Sequence, residues 1–347
     1  MAGVVGSVLG AGRSRGPSGL PFEWHWQRAG AAAEDARHGT TTAAVGGLIL
    51  PSFTGPIAVP ALRWADILRT AHLAEEAGFD SLWTIDELVW LAEDEEPLGF
   101  WECWTLLSAV AAVTSRVEVG TLVTCANYRN PALLAKMAET VDEISGGRLV
   151  LGLGAGWSED QYRMFGYEFD HHVGRFEEAL GIIHGLLREG RVDVEGRWHR
   201  AHEAVLAPRG PRPGRIPILV GGGGPRMMRL AARYADAWSA WIPDRSRPDT
   251  IPPLRAEVDA ACVEVGRAPA TLERTVGVGV AFGDARMAYG PTDWTPGMIR
   301  GSTDEIAGSL RAFAAEGIAH VQVTIAPATA AGVEAFVPVL EALDGGV

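Results

Sequence analysis

The sequence predicts an α/β fold, a (β/α)8 TIM barrel with insertions at its C-terminal mouth. From residue 45 onward, short apolar runs of strand length alternate with stretches of helical period, and the runs number eight. No Pro/Gly-rich linker after residue 45 is long enough to divide domains, and no internal repeat is visible. At 347 residues the chain exceeds an ordinary domain of roughly 100–200 residues, a length that one α/β barrel absorbs. A doubly wound open sheet is the alternative for the same alternation.

Residues 1–44 stand apart. They are rich in Gly, Ala, Ser and Arg, lack a sustained period and end in Thr40-Thr41-Thr42. They read as a flexible extension ahead of a barrel domain at 45–347, or as the result of a start codon placed too early. Phe22, Trp24 and Trp26 are the one cluster there that a docking segment would carry.

The first strand is expected at residues 46–50. Trp64, Ile67, Leu68, Ala71 and Ala74 then recur at helical spacing, and Gly78 sits where a helix stops. Residues 79–85 form the next strand, followed by a helix over 104–113 and a strand over 117–123. Pro131 suits a first helical position, because it has no N–H to leave orphaned. Leu133, Leu134, Met137, Val141 and Ile144 make that helix's buried stripe, Gly146-Gly147 ends it, and 148–153 is again a strand. Phe176, Ala179, Leu180, Ile183, Leu186 and Leu187 form the clearest amphipathic helix. Residues 191–209 are too polar and irregular for a barrel unit and read as an excursion, with a hairpin as one form it can take. The run 216–220 is continuously apolar, as a parallel strand buried on both faces should be. Strands at 235–240, 275–282 and 319–325 complete the eight, with helices near 225–234 and 304–316. Val333, Phe336, Val337 and Leu340 lie on one face of the last helix.

Composition bounds the function. The net charge of −13 argues against a nucleic-acid backbone as partner, since neutralising phosphates needs clustered Lys and Arg. No apolar run approaches the ~18 residues of a membrane span, and no signal peptide is recognisable. Three scattered cysteines, Cys103, Cys125 and Cys262, suit a reducing cytoplasm and make neither a disulfide framework nor a metal knot. His171-His172 is a poor metal pair, because adjacent residues rarely point at one ion, so no metal site is expected.

In a barrel the chemistry sits at the carboxyl ends of the strands. Gly222, Gly223, Gly224 and Pro225 follow a buried strand and open a helix, an arrangement that brings backbone N–H groups and a helix start to an anion. It is a phosphate cradle without the Gly-Lys-Ser/Thr of a P-loop. The small residues of Gly152-Leu153-Gly154-Ala155-Gly156, followed by Trp157, either leave room for a flat ring at the mouth or are barrel-core glycines. Asp86 and Glu87 close the second strand. Two carboxylates there can act as acid and base or bond a ring heteroatom; a solvated acidic rim, given the acidic run 93–96, is the competing reading. Cys125 reads as a small buried filler rather than a nucleophile. Trp83, Trp90, Trp101 and Trp104 read as core and wall. With Trp157, the last three of these would also suit a bulky apolar substrate pocket.

Several blocks carry a resemblance. They are residues 75–83 (Glu75-Glu76-Ala77-Gly78-Phe79-Asp80-Ser81-Leu82-Trp83), Gly120-Thr121-Leu122-Val123-Thr124, the run from Tyr128-Arg129-Asn130-Pro131 to Met137, Asp142–Arg148 (residues 142–148), the 152–157 motif, Gly222–Pro225 (residues 222–225) and Ala235-Asp236-Ala237-Trp238. Over about residues 46–330 the chain resembles luciferase-like flavin-dependent oxidoreductases. The resemblance implies FMN, or the deazaflavin coenzyme F-420 (F420), at the barrel mouth. Its phosphate would lie on Gly222, Gly223, Gly224 and Pro225. Its ring would lie against a bulge at Leu122-Val123, where relatives often carry a non-proline cis peptide, with Ala155, Gly156 and Trp157 also facing it. Many relatives place a catalytic His where this chain has Glu87, so Glu87, beside Asp86, becomes the candidate for proton transfer. The expectation is a cytoplasmic flavoprotein monooxygenase using reduced FMN and O2 on a small organic substrate, with a separate flavin reductase as electron source and a homo-oligomeric assembly. Hydride transfer with F-420 is the first alternative, and a non-catalytic flavin-binding protein the second.

Overall fold

The computed structural model describes residues 44–54, 62–91, 96–287 and 292–345. The cluster Phe22, Trp24 and Trp26, and all but the last residue of the 1–44 extension, lie outside them. Eight parallel strands close into a barrel in chain order: β1 (Ala44–Ile49), β2 (Ser81–Thr84), β3 (Glu118–Thr121), β4 (Leu149–Gly154), β5 (Ile218–Gly221), β6 (Ala237–Trp241), β7 (Glu273–Ala281) and β8 (His320–Ala326). Closure is seen in the register: Leu48 of β1 lies beside Val323 of β8, and Leu151 of β4 beside Ile218 of β5. The open doubly wound sheet is thereby set aside.

Side-chain alternation divides the interior in two. Val276, Val278 and Val280 of β7 and Val321, Val323 and Ile325 of β8 pack outward against helices. Ile49, Trp83, Val150, Leu219, Ala237, Ala281 and Ala326 form a separate inner cluster in the bore. This is the period-2 rule applied to a closed sheet. Trp83 fills the bore only because neighbouring strands carry glycine: a Cβ on Gly120 would lie 2.6 Å from its ring and one on Gly47 2.8 Å from its indole nitrogen. That nitrogen donates to Ser81 Oγ (2.7 Å), and Ser81 Oγ also bonds His320 Nε2 (2.8 Å), so the polar edge of the ring is satisfied.

The shell consists of α1 (Trp64–Ala77), α2 (Cys103–Val113), α3 (Pro131–Ser145), α4 (Glu159–Phe165), α5 (His172–Glu189), α6 (Pro225–Tyr234), α7 (Ile251–Glu264), α8 (Thr303–Ala315) and α9 (Ala330–Asp344). Their ends follow local chemistry. Asn130 accepts from the N–H groups of Ala132 and Leu133 ahead of α3, with Pro131 at its first position, and Gly146 ends it at φ 69°. Seven helices sit where the apolar periods predict them. Two were not foreseen: α7, whose Pro252 and Pro253 look like breakers but occupy the first turn, and α4, which is too short to show a period. α4 begins just after Trp157, capped by Ser158.

The excursion at 191–209 contains an antiparallel hairpin, Arg191–Glu195 with Arg200–Val205. It folds back along α5, where its tip residue Trp198 approaches Gly174 and its turn donates three backbone N–H groups to Glu178. The insertion at the mouth is a small antiparallel sheet of Phe53–Thr54, Leu98–Phe100 and Val89–Trp90. Among the described residues no helix is long and apolar enough to cross a membrane.

Candidate active site at the barrel mouth

The third strand breaks where the ring-binding bulge is expected. β3 ends at Thr121, the Leu122-Val123 peptide is cis, and the chain resumes beside β4 with Thr124 opposite Leu153 and Cys125 opposite Gly154. The neighbouring strands make room for this bulge by omitting side chains. A Cβ on Gly152 would lie 1.8 Å from the Thr121 carbonyl oxygen, and Cβ atoms on Gly154 and Gly221 would lie 2.6 and 2.8 Å from Val123 methyls. Gly152 and Gly154 therefore serve the packing of the bulge, the core reading of that motif. Gly156 stands at φ 72° against Cys125 Sγ and the Tyr162 hydroxyl, where a Cβ would come within 2.6–2.8 Å.

Above the bulge lies a cavity of about 550 Å3. Asp86, Glu87, Leu122, Val123, Ala155, Gly156, Trp157, Gly222 and Gly223 all line it, so nine of the eleven expected site residues meet around one cavity. Gly224 and Pro225 stand just behind, as the cap and first residue of α6. Gly222 and Gly224 adopt φ 130° and 85°, and no side chain caps the helix. Added Cβ atoms at Gly223 and Gly224 would meet nothing within 4 Å, so the peptide edge of this loop is open to a ligand.

The two carboxylates have different surroundings. Asp86, buried at the end of β2, takes a fork of two bonds from Arg129 (2.5 and 2.9 Å) and a third from the Cys125 backbone N–H (2.9 Å). Arg129 also bonds Glu102 Oε1 at 2.6 Å. Burial pushes the Asp86 carboxyl above its ordinary value while the bonds and charge of Arg129 oppose the rise. Burial works against the Arg129 charge too, but the Asp86 bonds outweigh it and the guanidinium ends above its ordinary value. A forked pair plus a backbone donor is the environment of an ionised carboxylate, so Asp86 is a charged anchor for the segment after the bulge.

Glu87 is half-buried on the cavity. Its Oε1 accepts the Trp157 indole N–H at 2.9 Å, and its Oε2 accepts the Gln161 carboxamide N–H. Burial pushes this carboxyl up, the two bonds pull it part of the way back, and the Asp86 charge adds to the rise. Glu87 thus combines cavity access with a pKa shifted toward neutrality, the property a proton-transfer group needs.

Of the expected apolar wall, Trp90 and Trp157 are present, with ring centroids 5.3 Å apart. Trp101 and Trp104 lie elsewhere. Trp101 is 46% exposed and bonds the Leu62 carbonyl, whereas Trp104 is core and bonds Thr124 Oγ1. Cys125 is buried against the Tyr162 hydroxyl (3.2 Å), and burial pushes its thiol up to about 12, the opposite of an activated nucleophile. His172, stacked on Phe169 at 4.5 Å, Met227, Ser239 and Trp241 also line the cavity. Their part in it has no mark in the sequence: His171-His172 reads only as a poor metal pair, Ser239 lies inside the strand expected at 235–240, and Trp241 follows one residue beyond it. Among the described residues no group of three or more His, Cys, Asp or Glu is placed to hold a metal ion.

The profile of a family described as luciferase-like monooxygenase matches residues 44–289. Among curated proteins, the chain is 32% identical over 234 residues to an F420-dependent glucose-6-phosphate dehydrogenase of Kineococcus radiotolerans, covering 64% of this chain and 66% of that one. It is 30% identical over 209 residues to a 5,10-methylenetetrahydromethanopterin reductase of Archaeoglobus fulgidus, covering 60% and 58%. The chain thus spans less than two thirds of the length of these relatives. Among solved structures, an F420-dependent secondary alcohol dehydrogenase superposes with a TM-score of 0.72 at 19% identity, over 87% of this chain and 99% of that one. The EDTA monooxygenase of Chelativorans sp. BNC1 superposes with a TM-score of 0.71 at 15% identity, over 87% and 93%. At these identities both show the shared fold.

Proposed function

The chain belongs to the luciferase-like monooxygenase family, and on that premise we propose that it is a deazaflavin (F420)-dependent oxidoreductase acting on a small organic substrate. The observation that carries this reading is the convergence, in one cavity, of an open glycine cradle, a glycine-backed bulge and a carboxyl poised for proton transfer. The choice of coenzyme rests on the curated relatives, since one at 32% identity is named for F420. Reduced FMN with O2, the first expectation from sequence, is the second reading. The same cavity suits it, and the solved monooxygenase shares the fold.

The residues present fit such a coenzyme. Gly222, Gly223 and Gly224, with the uncapped start of α6 at Pro225, would hold its phosphate. Leu122, Val123, Ala155 and Gly156 would back its ring, and Trp157 would wall it. When bound, the deazaflavin supplies a two-electron hydride acceptor or donor. The protein's share is positioning, exclusion of water and proton transfer. Trp90 and Trp157 cover apolar surface on the cavity, and Glu87 would take a substrate hydroxyl proton as carboxylate or return it as acid. The anchor Asp86–Arg129 holds the segment that follows the bulge.

Equilibrium binding of F420 and of FMN, each oxidised and reduced, tests the proposal. Tighter binding of F420, with substrate reduction or oxidation independent of O2, is the expected result. Preferential binding of reduced FMN with O2 consumption coupled to product would replace it with the second reading, and binding of neither would remove the assigned coenzyme residues.

A further inference from the structure

We infer that Gln161 is a positioning residue: with Trp157 it forms a two-donor clamp on Glu87, so that among the described residues a proton carried by Glu87 is left to face the cavity. The inference deepens the proposed function and rests on it for the identity of the proton's recipient. The clamp itself rests on geometry alone.

Both partners of Glu87 are donors that cannot reverse. The Trp157 indole N–H, at 2.9 Å from Oε1, has no acceptor atom. The Gln161 amide has one, but its Oε1 already accepts the Leu88 backbone N–H at 2.8 Å. That bond sets the orientation of the carboxamide, because a flipped amide would press its NH2 against the Leu88 N–H. Gln161 is 1% exposed, so solvent offers it no other partner. The carboxamide therefore bridges the side chain of Glu87 and the backbone of the next residue.

Each carboxylate oxygen has two lone-pair sites, and the clamp occupies one on each. A proton added to Glu87 must take one of the remaining two and needs an acceptor in that direction. The titratable groups that neighbour Glu87 are Asp86 on its own strand end, Tyr128 after the bulge and His172 at the start of α5, which lines the same cavity; Arg129, Glu102 and Cys125 act on Asp86. Glu87 exchanges a hydrogen bond with none of them. Asp86 is filled by Arg129 and the Cys125 N–H, and Cys125 is bonded to Tyr162. What remains is the cavity that Glu87 lines, where a substrate oxygen would sit. The same clamp stabilises the ionised form, so it both directs the proton and limits how tightly it is held.

The test is a pH titration of the coenzyme-free protein, labelled with 13C-glutamate and followed by the infrared carbonyl band of the protonated acid. The Glu87→Gln difference spectrum identifies the band. Gln161→Met and Trp157→Phe each remove one donor to the charged form, so each is expected to move the Glu87 titration up by about one pH unit. The pH limb of turnover should move by the same amount, a response that a merely structural role would not produce. An unchanged or lowered titration in either variant overturns the clamp. If Gln161→Met does not fold, Trp157→Phe decides, since Trp157 is 58% exposed on the rim. The infrared titration needs no coenzyme, so a shift without F420 or FMN binding would sink the proposed function and leave the clamp standing.

Discussion

Arg129→Met should be one of the most damaging single changes near the site, with a cost that depends on pH. In the folded protein Asp86 would lose a forked pair at 2.5 and 2.9 Å and keep only the Cys125 N–H at 2.9 Å. Breaking a buried ion pair from one side costs about 3–5 kcal/mol, because a charge is left behind without its partner. A second limit applies: the penalty cannot exceed the cost of protonating Asp86, about 1.4 kcal/mol for each pH unit above an unfolded value near 3.9. That ceiling is about 5.6 kcal/mol at pH 8 and about 1.5 kcal/mol at pH 5. The sign follows from linkage. Burial already raises Asp86 in the native state, and removing Arg129 takes away what opposes the rise. The folded state then binds more protons than the unfolded state, so stability is highest below the unfolded pKa and falls as pH climbs through the folded one. Equilibrium urea unfolding should show Arg129→Met destabilised by about 3–5 kcal/mol at pH 8 and by no more than about 1.5 kcal/mol at pH 5. Asp86→Asn should cost less and show no such slope, because Arg129 keeps Glu102, whose side chain is 44% exposed. A loss below about 1 kcal/mol at pH 8, or equal losses at both pH values, would refute the anchoring role given to Asp86.

Three further outcomes test other parts of the site. Gly223→Asp places a negative charge in the cradle at a position where a Cβ meets nothing, so the fold should stand while coenzyme affinity, read by fluorescence titration, falls at least about tenfold. Gly152→Ala drives a methyl to 1.8 Å from the Thr121 carbonyl oxygen, and thermal unfolding should report a loss at or above the ~1–3 kcal/mol of ordinary overpacking. Glu87→Gln removes the titrating group but keeps its shape; turnover should drop by about 10^2–10^4 and lose its pH limb, with coenzyme binding little changed. Unchanged turnover in that variant would remove Glu87 from the chemistry.

The barrel was legible because its strands are buried on both faces and read either as an unbroken apolar run, as at 216–220, or as apolar residues at every second position, as at 319–325, and both sets of bounds move by only a residue or two in the structure. What escaped were elements whose stabilisation is not periodic. α7 begins with Ile251, Pro252 and Pro253, and a pair of prolines reads as a break unless the helix start is already known. α4 buries only Gln161 and Tyr162 over seven residues, too little for any 3.6-residue pattern to appear.

The same division runs through the site. Its backbone component was open to sequence reading, because a glycine loop after a strand and small residues beside a bulge are constraints carried by residue type at fixed spacing. Its side-chain component was not. Asp86 and Glu87 are adjacent and chemically alike, and nothing local says that one faces Arg129 across 43 positions while the other faces Gln161 across 74. Those distances in sequence are spanned by strand order: β2, β3 and β4 are consecutive in the barrel, so the segments after their carboxyl ends converge on one rim. The element that separates the roles of the two acids is thus α4, the helix with no sequence signature. It brings Gln161 to Glu87 and Tyr162 to the Ala155 carbonyl, while Arg129 holds Asp86 in a forked pair. Burial raises the Glu87 carboxyl above its ordinary value, and the two donors that oppose the rise are Gln161 of α4 and Trp157 just ahead of it.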